Sequence, residues 1–304
     1  MKKMVVFLVG PTAVGKSEIG VCLSKKLNAE IISCDSMQIY KKMSILTSKP
    51  SAVLTSRIPH HLADLVPPSE EYSVSRYYEQ AVKKITGITN RGKTPLFVGG
   101  TGLYMSILID GLFKMEPPDK VIREKLYQQA EEEGSLYLYN RLNEVDPQAA
   151  DKIHPNDTRR IVRALEVYEA TGKPISLLQK QRSGIADKYD VRIFCLDMQR
   201  DKLYQRIEQR VDEMFAKGLI KEVKALLKLK LSKTARCAIG IRELQGYFNG
   251  EYDLDEARKQ MVHNTCLYAK RQLTWFRKDK RITWININDN DSVLDITQRV
   301  LSCL

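Results

Sequence analysis

An α/β fold is the class this sequence predicts: a parallel sheet flanked by helices and interrupted by an all-helical insertion. Three observations carry the expectation. An apolar strand runs directly into a Gly-x-x-x-x-Gly-Lys-Ser loop with a helical pattern behind it. Short apolar runs alternate with helical patterns up to about residue 111 and again from about 190. Between Pro117 and Lys188 no strand-like run appears. Short apolar runs bounded by turn residues suit strands buried on both faces, and the intervening helices supply the crossovers a parallel sheet needs.

The first strand is expected at 4–10 and leads into Gly10, Pro11, Thr12, Ala13, Val14, Gly15, Lys16 and Ser17. Backbone N–H groups of such a loop converge on phosphate oxygens, the lysine adds positive charge, and the serine hydroxyl can hold Mg²⁺. The helix that follows, patterned by Ile19, Val21, Leu23 and Leu27, points its positive dipole end at the same anion. The loop calls for a phosphorylated ligand, without specifying ATP or phosphoryl transfer.

Further strands are expected at 29–34 and 95–99, separated by a long polar, proline-punctuated segment from about 41 to 72 and a helix near 74–90. Helices over 119–133, 135–145 and 156–171 form the insertion; the last starts beside Pro155 and stops at Gly172, with Pro174 beyond. A strand at 191–196 resumes the sheet. Helices at 200–216, 218–230, 237–248 and 254–276 and a late strand at 282–287 complete the chain. The domain reading is an α/β core of residues 1–112 and 190–304 around a helical insertion of 113–189.

Composition narrows the function classes. With 43% hydrophobic and 28% charged residues the chain reads as globular. No apolar run approaches a membrane span and no signal-peptide core precedes the first strand, so no membrane partner is expected. The six scattered cysteines show neither Cys-x-x-Cys nor zinc spacing, which fits a reducing, cytoplasmic setting. The net charge of +12 is either a solubility device or the mark of a polyanionic partner. Clustering at Arg159, Arg160 and Arg163 and between Lys270 and Arg281 favours the partner, a nucleic acid.

Three features stand beside the phosphate loop. Asp35-Ser36-Met37-Gln38-Ile39-Tyr40 follows the second strand, at the sheet edge where doubly wound folds bind ligands. Asp35 is there either a proton acceptor or a turn aspartate. Gly99-Gly100-Thr101-Gly102 follows the third strand, with Thr101 either facing a ligand or capping a helix. Arg206 and Arg210 lie one helical turn apart opposite an apolar stripe, as a solvated face or as cations aimed at a phosphate.

Six segments in this order resemble the bacterial tRNA dimethylallyltransferase family, the tRNA isopentenyltransferases that modify adenosine 37. They are Gly-Pro-Thr-Ala-Val-Gly-Lys-Ser (10–17), Asp-Ser-Met-Gln-Ile-Tyr (35–40), Pro-His-His-Leu (59–62), Val-Gly-Gly-Thr-Gly-Leu-Tyr (98–104), Arg-Ile-Val-Arg-Ala-Leu-Glu-Val-Tyr (160–168) and Ala-Lys-Arg-Gln-Leu-Thr-Trp-Phe-Arg (269–277). The resemblance spans nearly the whole chain and implies a P-loop NTPase-like core.

It also implies that residues 10–17 hold the pyrophosphate of dimethylallyl pyrophosphate, with Mg²⁺ on Ser17 and Arg210 as a helper cation. Asp35 matches the family's general base for the adenine N6 and Thr101 its neighbour. Ser36, Met37 and Gln38 fall at the base-reading segment. Arg159, Arg160, Ile161, Val162 and Arg163 resemble the family's tRNA-contacting segment, with Arg123 at the insertion's start. The implied substrates are tRNAs reading codons that start with U, gripped at the anticodon stem-loop by the insertion of a monomeric enzyme.

The chain departs from the pattern in places. Lys42, Ser44 and Leu46 replace the family's Gly, Asp and Gly in Tyr-Lys-Gly-Met-Asp-Ile-Gly-Thr-Ala-Lys-Pro. Ile241-Arg242 stands for Tyr-Lys, and Cys266 for an arginine. Competing readings are a P-loop small-molecule kinase with Asp197 as a second metal-holding carboxylate, an isopentenyltransferase of free adenine nucleotides, and a non-catalytic RNA-binding module. The kinase and free-nucleotide readings leave the basic insertion unexplained.

Overall fold

The computed structural model describes residues 2–113 and 120–304. Its contacts separate two compact units, Met1–Ile109 with Ile185–Leu304, and Asp110–Gly184. The limits expected for the insertion were 113 and 189. The later limit moves because Ile185–Asp187 forms a 3₁₀ turn whose Ile185 is buried and which packs on the strand that follows it. Pro117 and residue 119, where the first insertion helix was expected to start, lie outside the described residues.

In chain order the elements begin with β1 (Met4–Val9), α1 (Lys16–Lys26), β2 (Ala29–Cys34), α2 (Ala52–Arg57), β3 (His60–His61), α3 (Val74–Asn90), β4 (Thr94–Gly99) and α4 (Gly102–Asp110). The insertion contributes α5 (Lys120–Glu133), α6 (Ser135–Val145), α7 (Pro147–Ala150), α8 (Thr158–Thr171) and α9 (Ile175–Gln179). The core resumes with β5 (Asp190–Met198), α10 (Arg200–Ala216), α11 (Leu219–Leu226), α12 (Ile241–Phe248), α13 (Leu254–Phe276), β6 (Thr283–Ile287) and α14 (Val293–Leu301).

Among the described residues six strands form one sheet in the order β3-β2-β4-β1-β5-β6, all parallel. Val5 to Val9 are fully buried, as the continuous apolar run requires of a strand covered on both faces. Phe7 and Phe97, register partners on β1 and β4, stack at 4.5 Å. The chain leaves β1 toward β2 and later returns to its other side as β5, so the order reverses about β1. Loops at the carboxyl ends of the strands diverge at such a reversal and open a crevice.

Glu30 is 3% exposed at the amino-terminal half of β2. Its carboxylate is held by Arg91 Nη2 at 2.6 Å, His61 Nε2 at 2.7 Å and Lys93 Nζ at 3.1 Å. Burial alone would raise its pKa; the hydrogen bonds from Arg91, His61 and Lys93 outweigh that and bring it down to about 2.

The insertion unit has its own core of Leu126, Leu138, Leu142, Ile161, Leu165 and Val167. Asp157 caps α8 by accepting from Arg160 N, and Gly172 ends it in the left-handed conformation at φ 67°. Leu112 and Ser183 form an antiparallel bridge where the chain enters and leaves the unit.

Several boundaries differ from expectation. The helix expected over 218–230 stops at Leu226, and the one expected over 237–248 starts only at Ile241. Gly240, at φ 107°, breaks the chain between a 3₁₀ turn and α12. The segment 41–72 contains the short α2 and β3. Helix α14 was not expected, although Ser292 and Asp295 make a capping box at its start and Ile296 and Val300 bury its inner face.

Candidate active site

A cleft of about 820 Å³ opens in the α/β unit over the carboxyl ends of β1, β2 and β4. The phosphate loop forms one wall. Gly10 has φ 147°, and a Cβ there would lie 2.7 Å from Leu196 O; Gly15, at φ 97°, is the cap of α1. Only glycine takes both conformations without strain, so these two residues set the loop's path. Pro11 and Val14 are buried beneath it, while Thr12, Ala13, Gly15, Lys16 and Ser17 line the cleft.

Lys16 Nζ donates to Gly10 O at 3.0 Å and Pro11 O at 2.6 Å. Burial pushes its pKa down to about 8; Arg210 adds to the fall, and Asp35 opposes it. Burial likewise lowers Arg210 from its ordinary value, against the pull of Asp35. Arg206, one turn earlier on α10, brings Nη1 within 3.8 Å of where a Cβ on Gly15 would stand. Of the two sequence readings of this helix face, the structure supports cations aimed at the loop: Arg206 and Arg210 both line the cleft with Lys16.

Asp35 is both an aspartate of a turn and an open carboxylate. Its Oδ1 accepts from Met37 N at 2.9 Å and Gln38 N at 3.4 Å, closing an Asx turn. Oδ2 has no hydrogen bond among the described residues, and Asp35 faces the cleft. Thr101 stands at the head of α4, where its carbonyl accepts from Met105 N at 3.2 Å, but its side chain does not cap the helix: Oγ1 accepts from Ser36 N at 3.0 Å, which joins the loop after β4 to the loop after β2. Tyr268, also in the cleft, has its hydroxyl raised above its usual pKa by burial and by Asp35, with a side-chain hydrogen bond to Thr101 opposing.

Gln38 lines the cleft with its amide partly committed: Ser33 Oγ donates to Oε1 at 3.1 Å, and Nε2 donates to Thr47 O at 3.4 Å. One amide hydrogen and one lone pair remain for a ligand. Ser36 and Met37 are half-buried beside it.

The atypical loop at 41–50 keeps a defined backbone by other means. Lys42 takes the left-handed conformation at φ 61°, at one of the positions where glycine was expected. Leu46, at the other, is buried at 6% exposure. Glu222 accepts from Ser44, Ile45 and Leu46 N–H groups at 3.1, 3.0 and 2.9 Å, fastening the loop to α11. Nothing in the sequence marked Glu222 for this role, because its partners lie far away along the chain.

The arginines expected to meet RNA sit in the insertion unit. Arg159 and Arg160 are exposed, and Arg160 pairs with Asp157 at 3.3 Å. Arg123 and Arg163 converge on Oε2 of the buried Glu166, at 2.8 and 3.0 Å. Ile161 and Val162 require correction: they are 0% and 1% exposed within the unit's core, so their side chains pack and do not reach a ligand.

Ser17, in the first turn of α1 and lining the cleft, carries a hydroxyl suited to Mg²⁺ beside a diphosphate. Among the described residues no group of three His, Cys, Asp or Glu side chains converges on a metal position. That donor set fits a Mg²⁺ ion carried mainly by phosphate oxygens and water, with Ser17 as a protein ligand. Asp197 Oδ1 caps its own neighbour, Met198 N, at 2.9 Å, and does not line the cleft. The kinase reading loses its second carboxylate.

Besides Glu222 and Tyr268, Gln272 was not marked by the sequence either. It is 6% exposed on α13 and contacts both the phosphate loop and the glycine loop after β4. Its only signal was membership of the segment 269–277.

Comparison with known proteins places the chain. The model of the IPP transferase family matches residues 38–279, and that of isopentenyl transferases matches residues 3–57. The tRNA dimethylallyltransferase of Carboxydothermus hydrogenoformans is 47% identical over 99% of this chain and 97% of its own length. That of Natranaerobius thermophilus is 47% identical over 95% and 88%. The crystal structure of the tRNA isopentenylpyrophosphate transferase of Bacillus halodurans superposes with a TM-score of 0.71 at 38% identity, covering 99% of this chain and 96% of its own. A eukaryotic dimethylallyltransferase, solved acting on tRNA, gives a TM-score of 0.86 at 31% identity, covering 98% and 78%. The chain belongs to the IPP transferase family.

Proposed function

We infer that this member of the IPP transferase family is a tRNA dimethylallyltransferase, moving the dimethylallyl group from dimethylallyl pyrophosphate to N6 of adenosine 37 in the anticodon loop. The observation that carries the reading is that the phosphate loop, Arg210 and the open oxygen of Asp35 line one cleft. A leaving diphosphate and an attacking amine need those two kinds of group within one substrate's length of each other.

The reaction balances as one alkyl transfer. The N6 lone pair forms a bond to the allylic carbon while the carbon–oxygen bond to diphosphate breaks. The N6 proton passes to Asp35 Oδ2, and the diphosphate leaves with its charge met by Lys16 and Arg210. General-base help of this kind contributes roughly 10²–10⁴ in rate. Positive groups aimed at a developing anion act most strongly where water is excluded, and half-buried Lys16 and Arg210 meet that condition. Thr101 holds the Asp35 loop through Ser36 N, and Gln38 offers its remaining hydrogen-bonding capacity to the base or its neighbour. Mg²⁺, with Ser17 as a ligand, would neutralise diphosphate charge.

The insertion supplies RNA contacts in this reading. Arg159 and Arg160 present exposed charge, and Arg123 and Arg163 are fixed by Glu166. RNA loops are recognised through splayed bases and phosphate contacts, which suits a base drawn out of its stack. Among the described residues no helix is long and apolar enough to cross a membrane. The six free thiols fit a reducing cytoplasm, and the enzyme is taken as a monomer.

The test is direct. The purified protein is incubated with Mg²⁺, dimethylallyl pyrophosphate and unmodified tRNA carrying A36-A37, and the nucleosides are analysed by mass spectrometry. Isopentenyladenosine is expected at position 37. Its absence, or prenylation of AMP in preference to tRNA, would overturn the assignment.

A further inference from the structure

We propose that Gln272 is a positioning residue that fixes the separation between the phosphate loop and the Asp35–Thr101 pair, an inference that rests on the transfer reaction above. Its side-chain amide is satisfied at both ends. Thr12 N donates to Oε1 at 2.9 Å, and Nε2 donates to Gly100 O at 2.9 Å. The next residue, Thr101, takes Ser36 N at 3.0 Å, and Ser36 adjoins Asp35. One buried amide thus begins a continuous chain of bonds from the loop that holds the leaving group to the carboxylate that receives the proton.

The chemistry of the position is specific to glutamine. Glutamate has no donor for Gly100 O, and asparagine is one methylene short of spanning the two loops. Gly100 belongs to the same device. A Cβ there would stand 2.1 Å from Gln272 Nε2 and 3.2 Å from Gly10 O, so any side chain at 100 displaces the amide. Thr12 N–H, a loop donor that could face an anion, is committed to Gln272. The amide therefore shapes the phosphate loop as well as spanning from it.

An alkyl transfer needs leaving oxygen, carbon and nucleophile in line, and a displacement of about 1 Å can cost on the order of 10²-fold in rate. The strands carrying the two loops are neighbours in the sheet, with Val9 paired to Gly99. The sheet sets that spacing coarsely. Gln272, reaching in from α13, sets it where the loops leave the sheet.

The experiment measures kcat, KM for tRNA and for dimethylallyl pyrophosphate, inorganic pyrophosphate binding and melting temperature. Gln272→Met keeps length and bulk but makes neither bond. Gln272→Glu keeps the acceptor for Thr12 N alone. Gly100→Ala pushes the amide aside, and Gln272→Ala with Gly100→Ala removes the clash with the amide, leaving only the 3.2 Å approach to Gly10 O. Gln272→Met and Gly100→Ala are expected to lower kcat by roughly 10²-fold, with both KM values within about threefold, pyrophosphate binding retained and melting temperature little changed. Gln272→Glu is expected to fall with them, because the bond to Gly100 O is lost. The double variant is expected to match Gln272→Ala alone, since one device cannot be broken twice. A wild-type kcat in Gln272→Met, or multiplying losses in the double variant, would overturn the proposal while leaving the transfer reaction standing. Failure of the unmodified protein to prenylate tRNA would overturn both.

Discussion

Lys16 and Arg210 share the mouth of the phosphate loop, and after burial itself the guanidinium is the largest cause holding the Lys16 ammonium down at about 8. The two cations are kept together at a cost, as a pair of like charges poised for an anion.

That relationship predicts proton uptake. A diphosphate favours the charged lysine and raises its pKa, so binding at pH 8.5 draws a proton onto Lys16, whereas below about pH 7 the ammonium is already formed. Affinity is expected to fall as pH rises above about 8. Calorimetry in two buffers of different ionisation enthalpy should show an uptake by Lys16 of about three-quarters of a proton at pH 8.5 and almost none at pH 6.5. Lys16→Gln should abolish it.

Asp35 divides its two oxygens between structure and chemistry. Asp35→Asn keeps an oxygen for the Asx turn with Met37 N and loses the proton acceptor. Single-turnover rates should drop by roughly 10²–10⁴ with tRNA affinity unchanged. Asp35→Ala also loses the turn, so it should weaken tRNA binding as well. A near-normal rate in Asp35→Asn would place the proton acceptor elsewhere.

Glu30 predicts an acid limit to stability. Its folded pKa of about 2 lies below the ordinary 4.5, so its contribution is present above about pH 4.5 and is lost as pH falls toward 2. The shift corresponds to about 3 kcal/mol at most. Glu30→Gln should lower stability by on the order of 2–3 kcal/mol at pH 7 in denaturant titrations, and the gap to the parent should narrow at pH 3.

Restoring the two family glycines should have opposite effects. Lys42 is held at φ 61°, so Lys42→Gly relieves left-handed strain, for a net gain of about 0.5–1 kcal/mol after the added chain entropy. Leu46 is buried, and its Cδ1 would stand 2.5 Å from a Cβ on Gly240. Leu46→Gly empties that site and should cost roughly 3–5 kcal/mol. Thermal melts of the two variants decide the matter.

In the insertion, charge and packing separate cleanly. Arg159→Ala should leave the melting temperature unchanged and reduce the slope of log K against log salt for tRNA by about 1, if the guanidinium meets one phosphate. Ile161→Ala should instead destabilise the unit by roughly 2–5 kcal/mol, with the salt slope intact.

The legible parts of this protein were those whose cause is local. The strand 4–9, the phosphate loop and α8 with Asp157 and Gly172 at its ends announce themselves through apolar runs, glycines and caps a few residues apart. Ile161 and Val162 were misassigned because a basic segment on an amphipathic helix was read as one face. In the folded helix the arginines turn outward and the aliphatic residues inward. Helix α14 starts on a local signal too, the capping box of Ser292 and Asp295, but is only nine residues long.

By itself, the sequence determined the sheet class, the interruption by helices, the anion-binding loop and the residue types of the chemistry, because backbone preference and side-chain period act over a few residues. Tertiary structure alone decided what those residues do together. It faced Asp35, whose other oxygen closes a local turn, into the same cleft as the phosphate loop, brought Arg206 and Arg210 to that loop from about 190 positions away, and set Gln272 between two loops that never meet in sequence. Those relationships depend on strand order, since the loops of β1, β2 and β4 converge only when the parallel sheet has formed and α10 and α13 have packed beside them.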